Sequence, residues 1–248
     1  MAERPAPEWP QDCLRVVLDA VDSTNAEALR RLPDLAAPCW IMARSQTSGR
    51  GRRGRGWVDP PGNFAATLAL PLSERPARMA LRSFLAALAL HDALTAATGL
   101  AQGLTLKWPN DLLLNGGKLS GILLESGAGG LVIGIGVNLR TAPPAEAGAA
   151  FPAVSLRGET GLALAADTLL DHLAVAWAQW EARFRAYGFA PVRQAFLDRV
   201  ERLGSVIVAR TLTETLEGRF TGIDDTGALV LDTAEGRRII PAADVYFP

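Results

Sequence analysis

Leu104-Thr-Leu-Lys107-Trp-Pro-Asn-Asp111-Leu-Leu-Leu114-Asn-Gly-Gly117-Lys118-Leu-Ser-Gly-Ile-Leu-Leu-Glu125 is the stretch whose reading decides the fold. It opens as a short strand, Leu104 to Lys107, stopped by Trp108-Pro109-Asn110-Asp111. Leu112 to Leu114 and Leu119 to Glu125 then face each other across Asn115-Gly116-Gly117, the turn chemistry of an antiparallel hairpin. Leu131-Val-Ile-Gly-Ile-Gly-Val-Asn-Leu139 follows as a strand able to pair beside it. Its glycines leave room for another backbone or a ligand to come close.

Upstream, Leu14 to Val21, Cys39 to Ala43 and Asn63 to Leu70 read as strands, the last bounded by turn residues. Asp22-Ser23-Thr24-Asn25 leads into a helical run from Ala26 to Leu32. Thr24 followed by Glu27 fits a capping box. Simple capping is one reading of this segment; the other is that Ser23, Thr24 and Asn25 present hydroxyl and amide groups to a small polar ligand. Met79 to Thr98 is an Ala/Leu helix apolar nearly all round, hence expected to lie buried against the sheet. Downstream, Ala163 to Ala186 and Pro191 to Leu203 read as helices, with Trp177, Trp180 and Phe184 forming a core stripe. From Gly204 the pattern changes to short strands at 206–210, 217–223, 228–231 and 237–241 separated by turns. The expectation is an α+β catalytic unit over residues 1–202 and a small β-barrel over 203–248.

Composition narrows the function classes. The 248 residues are 49% hydrophobic with a net charge of −1, enough for a core and too neutral for wholesale wrapping of nucleic acid. Cys13 and Cys39 make neither a disulfide framework nor a metal motif, and two histidines, His91 and His172, argue against a histidine metal centre. There is no signal-peptide core, and the apolar run from Phe84 to Leu100 is broken by His91 and Asp92, so no membrane segment and a cytoplasmic setting are expected. Local charge is another matter. Gln46-Thr-Ser-Gly-Arg50-Gly51-Arg52-Arg53-Gly-Arg55-Gly-Trp57, with Arg44 before it, holds five arginines and no acid. Glycine-spaced guanidinium groups suit a phosphate or carboxylate. Taken alone the loop fits equally a solvated basic loop, an Arg-Gly nucleic-acid tether or a linker. The positive side chains elsewhere are arginine too: the chain has only two lysines, Lys107 and Lys118, which reads either as chance in an arginine-rich composition or as two places that call for a compact ammonium.

Five segments, in one order, resemble the biotin–protein ligases: Asp22-Ser-Thr-Asn25, Gln46 to Trp57, Lys107-Trp-Pro-Asn-Asp111, Gly117-Lys118-Leu-Ser-Gly121-Ile-Leu-Leu-Glu125 and Val132-Ile-Gly-Ile-Gly-Val-Asn138. The resemblance spans roughly residues 12 to 248. It implies a class II synthetase-like fold, a mixed and mainly antiparallel sheet flanked by helices, followed by an SH3-like barrel. Only about a dozen residues precede the first strand, so the implied form is monofunctional, without the helix-turn-helix repressor domain. The implied chemistry joins biotin to ATP as biotinyl-5′-AMP, with release of pyrophosphate and Mg²⁺ neutralising charge. The acyl group then passes to a lysine of a biotin carboxyl carrier protein or domain. Both steps build negative charge at oxygen atoms, which preorganised cations stabilise.

The same resemblance assigns residues. Ser23, Thr24, Asn25 and Gln46 would surround biotin's ureido and ring atoms; Arg50, Gly51 and Arg52 would wrap its carboxylate and the adenylate phosphate; Lys118 and the Gly121 backbone would complete that site. Lys107 is expected as the principal catalytic cation, with Arg52 retaining the reactive adenylate. Arg53, Arg55, Trp57 and Asn138 fall on the nucleotide side. Asp111 bears on the metal or on lysine placement, or merely ends its strand; the metal ligands are not specified. A homodimer fits the family, and DNA and membrane partners do not. The same fold also houses lipoate and octanoyl transferases. Two other classes stay open at this point, an Arg/Gly nucleic-acid binder and a non-catalytic biotin adaptor. The loop from Gly49 to Gly56 has too little apolar area to order itself, and its protease resistance is expected to rise when biotin and ATP are added. Arg52→Gly is expected to release adenylate and label bystander lysines; strict carrier selectivity in that variant would refute the assignment.

Overall fold

The computed structural model describes residues 7–51, 54, 56–100, 102–127, 129–144 and 151–247. Arg52, Arg53 and Arg55 lie outside them. Seven strands form the main sheet: β1 (Leu14–Leu18), β2 (Cys39–Ala43), β3 (Phe64–Pro71), β4 (Leu104–Lys107), β5 (Asp111–Leu114), β6 (Gly117–Gly127) and β7 (Gly130–Val137). Their order is β1-β2-β3-β7-β6-β5-β4, and only β1 and β2 run parallel. The expected mixed, mainly antiparallel sheet is thus present. The hairpin that decides it pairs Leu112 with Ser120 and Leu114 with Gly117 across Asn115-Gly116, both with positive φ.

Burial explains the helices. α1 (Thr24–Arg31) packs on β3 and β7. The apolar stretch read as one helix is two, α2 (Pro76–Ala80) and α3 (Arg82–Thr98), meeting at Leu81. Residues 76–98 have the length and mean hydropathy, 1.2, of a membrane span. Here that hydropathy serves the core: Phe84 to Leu90 are all buried, and α3 lies against α5 (Ala166–Tyr187). α4 (Leu156–Thr160) and α6 (Ala190–Leu197) are shorter than or additional to the helices expected from sequence. Gly188, with φ 71°, ends α5 where Tyr187 would otherwise continue it.

Residues 206–246 form a second sheet of β8 (Val206–Arg210), β9 (Thr215–Ile223), β10 (Leu229–Thr233), β11 (Gly236–Ile240) and β12 (Asp244–Tyr246). All ladders are antiparallel, in the order β11-β10-β9-β8-β12. This is the small five-stranded antiparallel unit expected at the C-terminus; among the described residues β11 and β12 share no ladder, so hydrogen bonds do not close it into a full barrel. β11 protects its free edge with Arg237 and Arg238. This sheet shares its core with the first: Ile207, Phe220, Leu229 and Val245 belong to the same buried cluster as Phe84, Leu106 and Trp108. A hydrogen bond from Trp108 Nε1 to the Gly227 carbonyl, 2.9 Å, pins the two together.

Candidate functional site

One cavity of about 240 Å³ opens between the face of β6 and β7, the start of α1, the basic loop and β12. Every described residue singled out from sequence lines it: Ser23, Thr24, Asn25, Gln46, Arg50, Gly51, Trp57, Lys107, Lys118, Gly121 and Asn138.

At one end the polar groups are locked to one another. Gln46 Oε1 accepts from the Thr24 backbone N–H at 2.8 Å and from Thr24 Oγ1 at 3.1 Å. Thr67 Oγ1, on β3 and wholly buried, lies 2.8 Å from Thr24 Oγ1 and donates to Asn25 Oδ1 at 2.6 Å. Asn25 Nδ2 then donates to Glu125 Oε2 at 2.8 Å, and Glu125 Oε1 meets Arg50 at 3.3 Å. At the other side Gln46 Nε2 reaches Asp59 Oδ2 at 3.4 Å, and burial pushes the Asp59 carboxyl above its ordinary range. Buried polar chains of this kind fix which atoms are left to face a ligand.

This network overturns the capping-box expectation. Ser23 is the N-cap, with φ −155° and ψ 135°, and no side chain caps the helix. Thr24 turns its hydroxyl to Gln46 and Thr67 instead, while the Glu27 carboxylate pairs with Arg30 and Arg31. The Thr24 hydroxyl, read as helix punctuation, is spent on the cavity.

The glycines of β7 do admit a close approach, but what approaches is neither another backbone nor a ligand: it is side chains of this chain. A Cβ on Gly134 would stand 2.0 Å from Asn25 Oδ1, and one on Gly136 would stand 2.4 Å from the Trp57 ring. Gly121 on β6 is similarly covered by Trp57, at 3.1 Å. Gly134→Ala is therefore expected to displace Asn25 and weaken binding of the cavity's ligand roughly 5- to 30-fold, the worth of one or two hydrogen bonds. Calorimetric titration of biotin measures this; unchanged affinity would remove Asn25 from the site.

At the opposite end sit both lysines. Lys107, at the end of β4 and 7% exposed, lies 3.5 Å from Asp111 Oδ2; Lys118 Nζ lies 2.9 Å from Asp111 Oδ1. One carboxylate thus holds two ammonium groups. Burial pulls Lys107 below the ordinary lysine range, with Asp111 opposing and Lys118 reinforcing that fall. Asn138 Nδ2 is committed to the Val154 carbonyl at 3.0 Å, while its buried Oδ1 has no hydrogen-bond partner among the described residues.

This constellation can bind a carboxylate and a phosphate side by side, and comparison with known proteins gives it a lineage. Residues 17–141 match the biotin/lipoate A/B protein ligase family, and residues 203–247 match the biotin protein ligase C-terminal domain. A biotin–[acetyl-CoA-carboxylase] ligase of Paracoccus denitrificans is 53% identical over 238 residues, covering 93% of this chain and 99% of that one. The chain belongs to the biotin/lipoate A/B protein ligase family. The bifunctional ligase/repressor of Bacillus subtilis is 32% identical to this ligase, over 92% of this chain and 72% of that protein. Biotin protein ligase from Aquifex aeolicus, in complex with biotin and ATP, superposes with a TM-score of 0.80. It is 24% identical, covers 94% of this chain and 97% of its own, and corroborates the fold.

Sequence reasoning on this ligase missed five contributors. Thr67 lies in an otherwise apolar strand, and Glu125 was quoted in a motif without a role. Phe151, Asp244 and Tyr246 line the cavity from a Pro/Ala/Gly segment and from β12, a strand of three residues with no periodicity to detect.

Proposed function

We propose that this chain is an ATP-dependent biotin–protein ligase whose single cavity carries out adenylation and transfer in turn. The observation that carries the proposal is the division of the cavity: a locked amide and hydroxyl network at one end, two lysines sharing one aspartate at the other. Ser23, Thr24, Asn25 and Gln46 recognise biotin's ureido group, whose paired donors and acceptor need fixed partners. Arg50, the Gly51 and Gly121 backbone, and Lys118 receive its carboxylate. Arg52, Arg53 and Arg55, which lie outside the described residues, complete the anion site as the family resemblance implies.

In the first step a biotin carboxylate oxygen attacks the α-phosphorus of ATP, forming a P–O bond as the bond to pyrophosphate breaks. Lys107 stabilises the charge gathering on the α-phosphate, and Trp57 and Asn138 bear on the nucleotide. In the second step a carrier lysine amine attacks the acyl carbon, AMP leaves with the bonding pair, and the amine gives up its proton. Among the described residues no group of three His, Cys, Asp or Glu stands ready for a metal ion, and Asp111 is held by two lysines. We assign Mg²⁺ the part of counter-ion to the ATP phosphates, as the family resemblance implies.

The acceptor is the biotin carrier of a carboxylase, in keeping with the Paracoccus relative's name; we assign it to a biotin carboxyl carrier protein or domain. We further assign the division at residues 202/203, a cytoplasmic setting, a homodimer, and neither DNA nor membrane partners. Single-turnover formation of labelled AMP adduct, with biotin and lipoate supplied separately, tests the reading. Adduct with biotin alone is expected. Adduct with lipoate alone overturns the substrate, and none with either overturns the reaction.

A further inference from the structure

The ammonium of Lys107 has a neighbour besides its carboxylate. Its Nζ lies 4.9 Å from the centre of the Phe151 ring, over its face. Phe151 in turn meets Phe247 edge-on, with centroids 4.7 Å apart and planes at 82°, and the Arg202 guanidinium stands over Phe247 at 5.5 Å. A stack therefore runs from the end of β4, through a residue lining the cavity, to the segment that follows β12.

We propose that Phe151 is a positioning residue for Lys107: its ring face holds the ammonium, and Phe247 of the C-terminal segment holds the ring. The inference deepens the ligase reading, since the catalytic role of Lys107 belongs to it. Lys107 is nearly removed from water and must stay charged to act on a phosphate. Two carboxylates, Asp111 and Asp244, already act on it, and a third would cancel the positive field that the phosphate needs. An aromatic face stabilises the cation through its quadrupole and adds no net charge. The charged groups around Lys107 are Asp111 on β5, Lys118 on β6, which shares that carboxylate, and Asp244 on β12. The ring supplements this set without disturbing its balance. It also gives the C-terminal sheet a direct hold on the chemistry, since Phe247 follows Asp244 and Tyr246, both of which line the cavity.

The scarcity of lysine makes the test direct. Labelling with lysine enriched in ¹³C at Cε yields two side-chain signals, assigned with Lys118→Arg, and titration reads Lys107 alone. In Phe151→Leu its midpoint is expected to fall by roughly half a pH unit to one and a half. Phe151→Trp should restore it, and Phe247→Leu should lower it by less. The alkaline limb of adenylation should move with the midpoint. An unchanged midpoint in folded Phe151→Leu, or a tryptophan variant that behaves like leucine, overturns the proposal. Should Phe151→Leu not fold, an unchanged midpoint in Phe247→Leu does the same. Because the titration needs no turnover, wild-type protein that forms no adenylate would strike the ligase reading and leave the contact standing.

Discussion

Lys107→Ala is expected to slow biotinyl-adenylate formation at least ~10²-fold, the effect of removing one preorganised oxyanion-type stabiliser. The magnitude follows from where the ammonium sits. It is 7% exposed, beside Asp111 and over Phe151, so water cannot replace it as the α-phosphate gains charge. Lys107→Arg should recover little, because a longer planar guanidinium pairs with Asp111 and stacks on the ring, and so delivers no compact charge to the α-phosphate. The loss should fall on the rate of adenylation with biotin affinity changed far less, since the ureido network lies at the other end of the cavity. Rapid-quench kinetics measures it, and a wild-type rate in Lys107→Ala would falsify the catalytic role. The pH dependence has a definite sign. The folded-state pKa of Lys107 lies below the unfolded value of 10.5 because of burial. Activity is thus lost, as pH rises, earlier than an ordinary lysine would lose it. Stability moves the other way: between the two pKa values the unfolded chain binds more protons, so rising pH relieves the burial cost.

The parts of this molecule that were legible in its sequence are those that local chemistry writes. Asn115-Gly116-Gly117 announces a hairpin because few residues accept the backbone it needs, and the hairpin fixes the antiparallel half of the sheet. The two lysines stand out against 23 arginines, and the structure places them on one carboxylate. Asp111, for which strand ending and lysine placement were both open, does the second. Other motif residues turn out to be structural. Trp108 fastens the second sheet through Gly227, and Asn110 Nδ2 donates to the Ile122 carbonyl at 3.1 Å. What could not be read depends on distant pairing. Thr67 looks like one more strand residue until β3 is placed beneath α1. Phe151 and Phe247 meet across 96 positions, and nothing in either neighbourhood signals the other. The capping box failed for the same reason: Gln46, 22 residues from Thr24, takes the hydroxyl that a local reading gives to the helix.

Far from the cavity, Arg82→Ala is expected to cost about 3–5 kcal/mol of folding stability, lowering Tm by roughly 6–20 °C for a chain of this size. Arg82 is fully buried at the start of α3. Its Nε and Nη2 donate to Glu181 on α5 at 3.0 and 2.8 Å, and Nη1 and Nη2 donate to Glu74 at 2.8 and 3.2 Å. Arg185 supports Glu181 at 2.8 Å and Arg78 approaches Glu74 at 3.4 Å, while Arg78 and Arg82 both lie over the Phe184 ring. Alanine leaves the Glu181 carboxylate buried with one partner and opens a void against Phe184. The penalty arises chiefly from that stranded charge, so Arg82→Met combined with Glu181→Met should be less destabilised than Arg82→Met alone. Acid titration provides a separate check. The Arg82 hydrogen bond holds Glu74 below its ordinary value of 4.5. The associated stability is therefore present above that pH and lost as pH falls through the folded-state value. Arg82→Ala should flatten this acid limb as well as lower the plateau. Urea unfolding at neutral and acid pH reads both, and a loss below about 1 kcal/mol, within the range of an exposed ion pair, would show that the cluster does not hold α3 to α5.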